Sequence, residues 1–409
     1  MHYQIILGIL LGVCFGFFFT ELTSYIDWMG VLFMRALKMI VVPLVFCSVT
    51  AGVAGISAQD NFLRLGGKTM GIYLVTCVIA IFTGLFFVNL IKPGIGISIT
   101  PPEIQSQLLH TTSKRELLLN LIPENIFEAF ASMNMIGIIV FAILFGIFLG
   151  KSTHSGAKST KNAIDGITDV ILKLTSAILK LAPFGVFGII ASVVAKDAST
   201  TEALYNLIKS QGVYLGTIFA GIGFHTFITL SIFLIVFGKV NPLKHIARMK
   251  NVMLLAFSTA SSNATLPLTL SEMQTKAKIP KKIAEFTLPL GATVNMNGTS
   301  LYECVAVIYL AQIYGLDLSI VQQLTIILAS LMVGIGAAGI PMASLVMTVV
   351  VIQLVGLPPE SIGFIMLVDR FADMARTMLN VYGDTVCTLL VAKSEGESKD
   401  LQVDDFTIH

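Results

Sequence analysis

The chain has 409 residues, of which 55% are hydrophobic and only 12% charged, and its mean hydropathy is +0.86. Soluble domains carry about 25% charged residues, so the composition excludes a soluble globular protein and predicts an all-α polytopic membrane protein. A net charge of +2 gives no footprint for nucleic acid, and the bilayer is the expected partner.

A helix needs about 20 apolar residues to cross hydrocarbon. Such stretches run over residues 3–20, 31–54, 70–91, 134–150, 169–194, 213–238, 284–314 and 361–392, eight predicted spans. The N-terminus lacks a basic n-region and a clear cleavage site, so the stretch from Ile5 to Phe19 reads as a retained first span. Cys14, Cys47, Cys77, Cys304 and Cys387 fall in apolar segments without CxxC spacing and read as buried thiols. His2, His110, His154, His225, His245 and His409 are scattered, which gives no support for metal chemistry. Lys114-Arg-Glu116 reads as part of a solvated external loop, and the polar stretch from Ser394 to His409 as a disordered tail.

Two further apolar blocks, 251–275 and 319–356, are interrupted midway. Ser258-Thr-Ala-Ser-Ser-Asn263 breaks the first and Gly334-Ile-Gly-Ala-Ala-Gly-Ile-Pro341 the second. At about 1.5 Å per residue the arms of the first reach only half a membrane, and both blocks are predicted as re-entrant helical hairpins. With the N-terminus inside, fifteen Lys and Arg residues, among them Arg64, Lys151 and Lys281, fall in cytoplasmic loops. Five fall outside: Lys92, Lys114, Arg115, Lys196 and Lys209. That imbalance supports the orientation. Interrupted hairpins in corresponding positions point to a binding site near the midplane of an inverted-repeat transporter.

Three polar constellations carry the chemistry. At the tip of the first hairpin, Ser261, Ser262 and Asn263 are good N-cap residues, and helix N-termini favour a carboxylate. In the stretch 284–314, Asn295-Met-Asn-Gly-Thr299 predicts an unwound point whose freed carbonyls suit a hard cation. In the last stretch, Asp373, Arg376, Thr377, Asn380 and Asp384 stand at offsets 0, +3, +4, +7 and +11, on one helical face. Charge inside hydrocarbon is costly, so such a stripe turns inward and marks a substrate or ion path. An internal Asp–Arg pair holding helices together is the competing reading.

These segments resemble the glutamate transporter, or dicarboxylate/amino acid:cation symporter, family. The resemblance runs from Leu37-Lys-Met-Ile-Val-Val-Pro43 through Asn134-Met135 and Leu288-Pro-Leu-Gly-Ala-Thr293 to Asn295-Met-Asn-Gly-Thr299 and Asp373-Met-Ala-Arg-Thr377…Asn380…Gly383-Asp384. It implies eight spans, two hairpins, a homotrimer in the cell (inner) membrane with both termini cytoplasmic, and an elevator-type transport domain. In this division 1–69 holds scaffold spans one and two, and 70–119 the third span of the transport domain with an external loop. Residues 120–211 hold scaffold spans four and five, 212–393 the rest of the transport domain, and 394–409 the tail.

The resemblance also implies roles. Asp373 takes the substrate ammonium, Arg376 a side-chain carboxylate, and Asn380 with the backbone of Ser262 the α-carboxylate, while Thr299, Thr377, Ser261 and Gly339 complete the substrate site. Asp384 holds sodium with the carbonyls of Gly291, Asn295 and Asn380. A second sodium site lies among carbonyls of Thr293, Ile335 and Ala337. At a third, formed by Tyr73, Thr76, Cys77 and Asn297, the chain departs from the family: Asn297 stands where Asp is common, and Thr76-Cys77 where Thr-Ser is common. Both changes remove hard oxygen ligands. Glu303 follows the Asn-Met-Asn-Gly-Thr motif at the place where proton-coupled members are similar, and a carboxyl buried in a bundle can carry a proton.

The expected function is therefore import of L-glutamate or L-aspartate by a secondary active symporter. Its coupling ions are Na⁺, H⁺ or both, and no cofactor is needed. A proton-only-coupled acidic amino acid or dicarboxylate symporter is the alternative. An intramembrane aspartyl protease, using Asp369 or Asp373 with Asp384, is disfavoured because Val381-Tyr-Gly-Asp384 lacks the required glycine spacing. A channel is the other rival, separable by saturation.

Overall fold

Backbone in hydrocarbon must satisfy its own N–H and C=O groups, which a helix does within one segment. A computed structural model of the chain describes residues 2–57, 63–96, 122–132, 134–198, 200–336, 343–354, 356–358 and 361–396, and their regular structure is helical. The first half comprises α1 (His2–Phe18), α2 (Asp27–Ser57), α3 (Leu63–Ile91), α4 (Ile126–Ala131), α5 (Met135–Lys151), α6 (Ser155–Leu179), α7 (Ala182–Asp197) and α8 (Thr201–Phe224). The second comprises α9 (Pro242–Thr259), α10 (Ser262–Thr275), α11 (Lys281–Val294), α12 (Asn297–Ile313), α13 (Ile320–Gly336), α14 (Ala343–Leu354), α15 (Ile362–Met366) and α16 (Asp369–Ser394).

Two groups of helices pack mainly among themselves. In one, α1 lies along α7, and α2 meets α5, α6 and α7; in the other, α3 lies against α8 and α12, while α16 packs on α9, α11 and α12. The core of the second group is α12, where every residue except Gln312 is buried. A helix that is covered all round belongs to the interior of a large bundle.

Among the described residues, three helical stretches are long and apolar enough to cross a membrane alone: Asp27–Gly55, Arg64–Ile91 and Thr201–Gly238. The last continues α8 through two π-helical segments, His225–Thr229 and Leu234–Gly238. The predicted span 169–194 is not one rod, because Ser155–Leu179 and Ala182–Lys196 meet at a bend of 54°. Pro183 accounts for the break: it sits in the first turn of α7, where its missing N–H is harmless, but inside a continuous helix it would disrupt one. The stretch 361–392 is likewise divided, with a break at Leu367 and Val368 that makes Asp369 the first residue of α16. An acidic residue there complements the positive end of the helix dipole.

Both interrupted blocks fold as helix pairs. α9 and α10 pack against each other, as do α13 and α14. The first pair turns at Ala260, whose φ of +50° closes α9, and Ser261 caps α10 by accepting from the Ala264 N–H at 3.2 Å. The tip of the second pair, including Ala337 and Gly339, lies outside the described residues, as do His110, the Lys114-Arg-Glu116 loop and the tail beyond Gly396. The cysteines are free, but only Cys47, Cys77, Cys304 and Cys387 are buried; Cys14 is exposed on the outer face of α1.

At the end of α16, Glu395 reaches back to α3. Its carboxylate accepts from Arg64 Nη2 at 3.0 Å and from Lys68 Nζ at 2.6 Å. The two cations hold this carboxyl below its ordinary range, chiefly through the hydrogen bond from Arg64.

Candidate functional site

The site is built around α16, which packs against α3, α9, α10, α11 and α12. Asp373, Arg376, Thr377, Asn380 and Asp384 are all buried, as the inward-turned stripe requires. Across from them the chain leaves helical geometry at Asn295 (φ −88°, ψ 67°) and Met296 (φ −94°, ψ 52°), between α11 and α12. Gly298 brings the start of α12 onto the backbone of α16: a Cβ there would stand 2.8 Å from Cα of Arg376. Only glycine permits that approach.

Asn380 ties the two elements together. Its Oδ1 accepts from the backbone N–H of Gly298 at 2.7 Å and of Thr299 at 3.4 Å, and its Nδ2 donates to Thr299 Oγ1 at 3.1 Å. One turn away, Asp384 Oδ1 accepts from Asn295 Nδ2 at 2.9 Å. A Cβ on Gly291 would meet Asp384 Cγ at 2.8 Å and the Tyr73 hydroxyl at 2.9 Å. Gly291, Asn295, Asp384 and Tyr73 therefore share one small volume, with the oxygen chemistry a hard cation needs. Gly291 O accepts from Asn295 N and keeps a second lone pair.

The charged end of the stripe forms a connected array. Arg376 donates to Asp373 Oδ1 from Nε at 3.1 Å and Nη2 at 2.9 Å, and to Asp369 Oδ1 from Nη1 at 3.1 Å. Asp373 Oδ2 accepts from Arg370 Nη1 at 3.3 Å. The guanidinium carbon of Arg376 lies 4.2 Å from the centre of the Tyr302 ring, within cation–π range. The Tyr302 hydroxyl donates to Asp369 Oδ1 at 2.6 Å. Arg376 and Asp373 are paired with each other, the contact that the competing reading of an internal Asp–Arg pair expects. A ligand with both charges can exchange with that pair, ammonium to Asp373 and carboxylate to Arg376.

The other predicted residues fall as follows. Ser261 and Ser262 are buried at the first hairpin tip, with the Ser261 hydroxyl engaged as a cap. Thr293 stands near the end of α11, its Oγ1 donating to Leu290 O at 3.0 Å. Ile335 is in the last turn of α13, which packs on α11. Around the third cation position that the resemblance implies, Thr76 Oγ1 is 3.4 Å from Asn295 Oδ1, and the Cys77 thiol donates to Ser300 Oγ at 3.3 Å. Asn297 is buried with neither amide atom hydrogen-bonded among the described residues. Glu303, on the buried α12, likewise has both carboxyl oxygens without a hydrogen-bond partner among them.

Tyr302 and Arg370 escaped the sequence reading, and Asp369 entered it only as a rival carboxylate. The available signal was spacing: Asp369 lies four residues before Asp373 and seven before Arg376, so the inward stripe extends one turn further back.

Broken helices meeting a buried stripe of both charges define a membrane carrier with its site inside the bundle. Residues 1–394 match the model of the sodium:dicarboxylate symporter family, and the chain belongs to that family. It is 34% identical to the proton/sodium-glutamate symport protein of Bacillus caldotenax over 408 residues, covering 97% of this chain and 95% of that protein. With the proton/glutamate-aspartate symporter of Escherichia coli K12 the identity is 32%, covering 97% and 93%. With the C4-dicarboxylate transport protein of Rhodospirillum rubrum it is 29%, covering 97% and 89%.

Proposed function

We propose that the protein is a secondary active symporter that imports L-glutamate and L-aspartate together with Na⁺ and H⁺. The observation that carries this reading is the placing of Asp373, Arg376 and Asn380 on the same buried helix face as Asp384. An acidic amino acid offers one ammonium and two carboxylates. Asp373 complements the first, Arg376 as a bidentate fork the distal carboxylate, and Asn380 with the N-terminus of α10 the α-carboxylate. Thr299 and Thr377 flank these groups, and Gly339 belongs to the same proposed site.

In this reading Asp384, with carbonyls of Gly291, Asn295 and Asn380, holds one Na⁺. Thr293, Ile335 and Ala337 supply carbonyls for a second. Tyr73, Thr76, Cys77 and Asn297 form a poor third site, because a thiol stands in place of a hydroxyl and an amide in place of a carboxylate, and Glu303 carries a proton instead. The two helix groups support a division into a scaffold containing α1, α2 and α5–α7 and a transport domain containing α3 and α8–α14 with α16. We propose that the second moves as an elevator past the first, in a homotrimer with eight spans in the cell membrane.

Competition tests the substrate class. Uptake of radiolabelled L-glutamate is expected to be blocked by excess L-aspartate. Succinate has no ammonium for Asp373, and L-alanine no carboxylate for Arg376, so neither should compete. Efficient displacement of glutamate by succinate would favour a dicarboxylate carrier instead.

A further inference from the structure

We infer that Arg370 is a second carboxylate anchor of the substrate site, held in reserve by Asp373, and that this pairing keeps out dicarboxylates that lack an amino group. The inference rests on the symport function proposed above and names the pair that sets its substrate class.

Arg370 and Arg376 grip one carboxylate by its two different oxygens. Arg376 donates to Asp373 Oδ1 from Nε at 3.1 Å and Nη2 at 2.9 Å, whereas Arg370 Nη1 donates to Oδ2 at 3.3 Å. The side chains of Arg376, Arg370 and Asp373 are 1%, 7% and 4% exposed, so water screens none of them. An acidic amino acid needs one guanidinium for its distal carboxylate, and Arg376 supplies it. A second buried guanidinium is costly unless an anion faces it. Asp373 is such an anion, and it is also the group that turns to a substrate ammonium.

Asp369, Arg370, Asp373 and Arg376 are formally neutral as a group. A dicarboxylate without an amino group brings a further negative charge beside Asp373 and nothing positive to offset it, and rejection by a like charge is a common source of specificity. Neutralising Asp373 reverses the balance. The array gains one net positive charge, Arg370 loses an anion, and the ammonium of an amino acid meets a cation where it met a carboxylate. A dicarboxylate then finds two guanidinium groups, close enough together that the single carboxylate of Asp373 spanned them. Arg370 and Asp369 also line a small cleft with Ile5, Val186 and Met366, and these apolar walls raise the cost of leaving Arg370 short of an anion.

The test measures uptake of radiolabelled L-glutamate and of radiolabelled succinate into proteoliposomes containing the full chain, under the same ion gradients. Asp373→Ser should lose glutamate uptake and acquire saturable succinate uptake at least about tenfold above wild type. Adding Arg370→Gln should remove that succinate uptake from protein that is still folded by gel filtration and thermal unfolding. Arg370→Lys in its place keeps the charge and loses the fork, so succinate uptake should persist with its KM raised about tenfold. A folded Asp373→Ser that takes up no succinate overturns the inference, and so does succinate uptake that survives Arg370→Gln. Should Asp373→Ser fail to fold, Asp373→Asn, which keeps the shape and removes the charge, decides by the same readings. Should the double variant with Arg370→Gln fail to fold, the one with Arg370→Lys decides, and an unchanged KM for succinate overturns the inference. Absence of glutamate transport in the wild type would instead refute the symport reading.

Discussion

Asn295 Nδ2 lies 2.9 Å from Asp384 Oδ1, so the side chain of the residue at the helix break orients the carboxylate proposed to hold sodium. The same residue is proposed to offer its backbone carbonyl to the ion. Asn295→Ala keeps that carbonyl and removes the orienting donor, together with the 3.4 Å contact of Asn295 Oδ1 with Thr76. Loss of such a partner typically costs about 10–100-fold in metal affinity, so the Na⁺ concentration for half-maximal uptake should rise by that order. Sodium titration of uptake at saturating substrate checks it; an unchanged midpoint would place the ion elsewhere.

Arg376 is the cation at the centre of the charged array, joined to Asp369 and Asp373. Arg376→Cys should abolish uptake of acidic amino acids and let neutral ones gain. Removing one partner of a buried pair costs about 3–5 kcal/mol, so thermal unfolding must be followed beside transport. Unchanged glutamate uptake would sink the assignment of Arg376 to the distal carboxylate.

Glu303 is fully buried on α12, with no hydrogen-bond donor reaching its carboxyl among the described residues. Glu303→Gln preserves shape and removes the exchangeable proton. Uptake in vesicles should then lose its dependence on external pH while keeping its dependence on Na⁺. A full proton response in the variant would exclude Glu303 as the carrier.

The Glu395 contact with Arg64 and Lys68 gives a stability prediction outside the membrane segments. Because folding lowers this carboxyl from its ordinary value of 4.5, its contribution is present above that value. It is lost as pH falls through the lower folded value. The Tm difference between wild type and Glu395→Gln should therefore shrink on acidification below about pH 4.5 and vanish at the acid end. A difference that grows on acidification would contradict the sign. The contact is partly exposed, so the difference will be small and reduced by salt.

Much of the site was legible because polar residues in an apolar helix are conspicuous. Asp373 through Asp384 announced one face, Asn295 to Thr299 announced a break, and Ser261 announced a cap, each by local chemistry. Tyr302 was hidden by the opposite circumstance, since an aromatic residue in an apolar run is indistinguishable from core packing until its hydroxyl finds Asp369. The place of Asp369 at the start of α16 was hidden because residues 361–366 continue the apolar pattern up to it, which masks the helix break at Leu367 and Val368. The bend after Leu179 was missed for the same reason: hydropathy continues across it, and only Pro183 marks the change of direction. Carbonyl ligands such as those proposed for Thr293 and Ile335 leave no side-chain signature, so resemblance alone supplied them.

The most direct test of the central claim is uptake of radiolabelled L-glutamate and L-aspartate into proteoliposomes, with Na⁺ and pH gradients imposed separately. Symport through this site predicts saturable accumulation driven by an inward Na⁺ gradient, increased by an inward proton gradient and abolished in Arg376→Cys. No accumulation of either amino acid under any gradient, or accumulation that survives loss of Arg376, would contradict it.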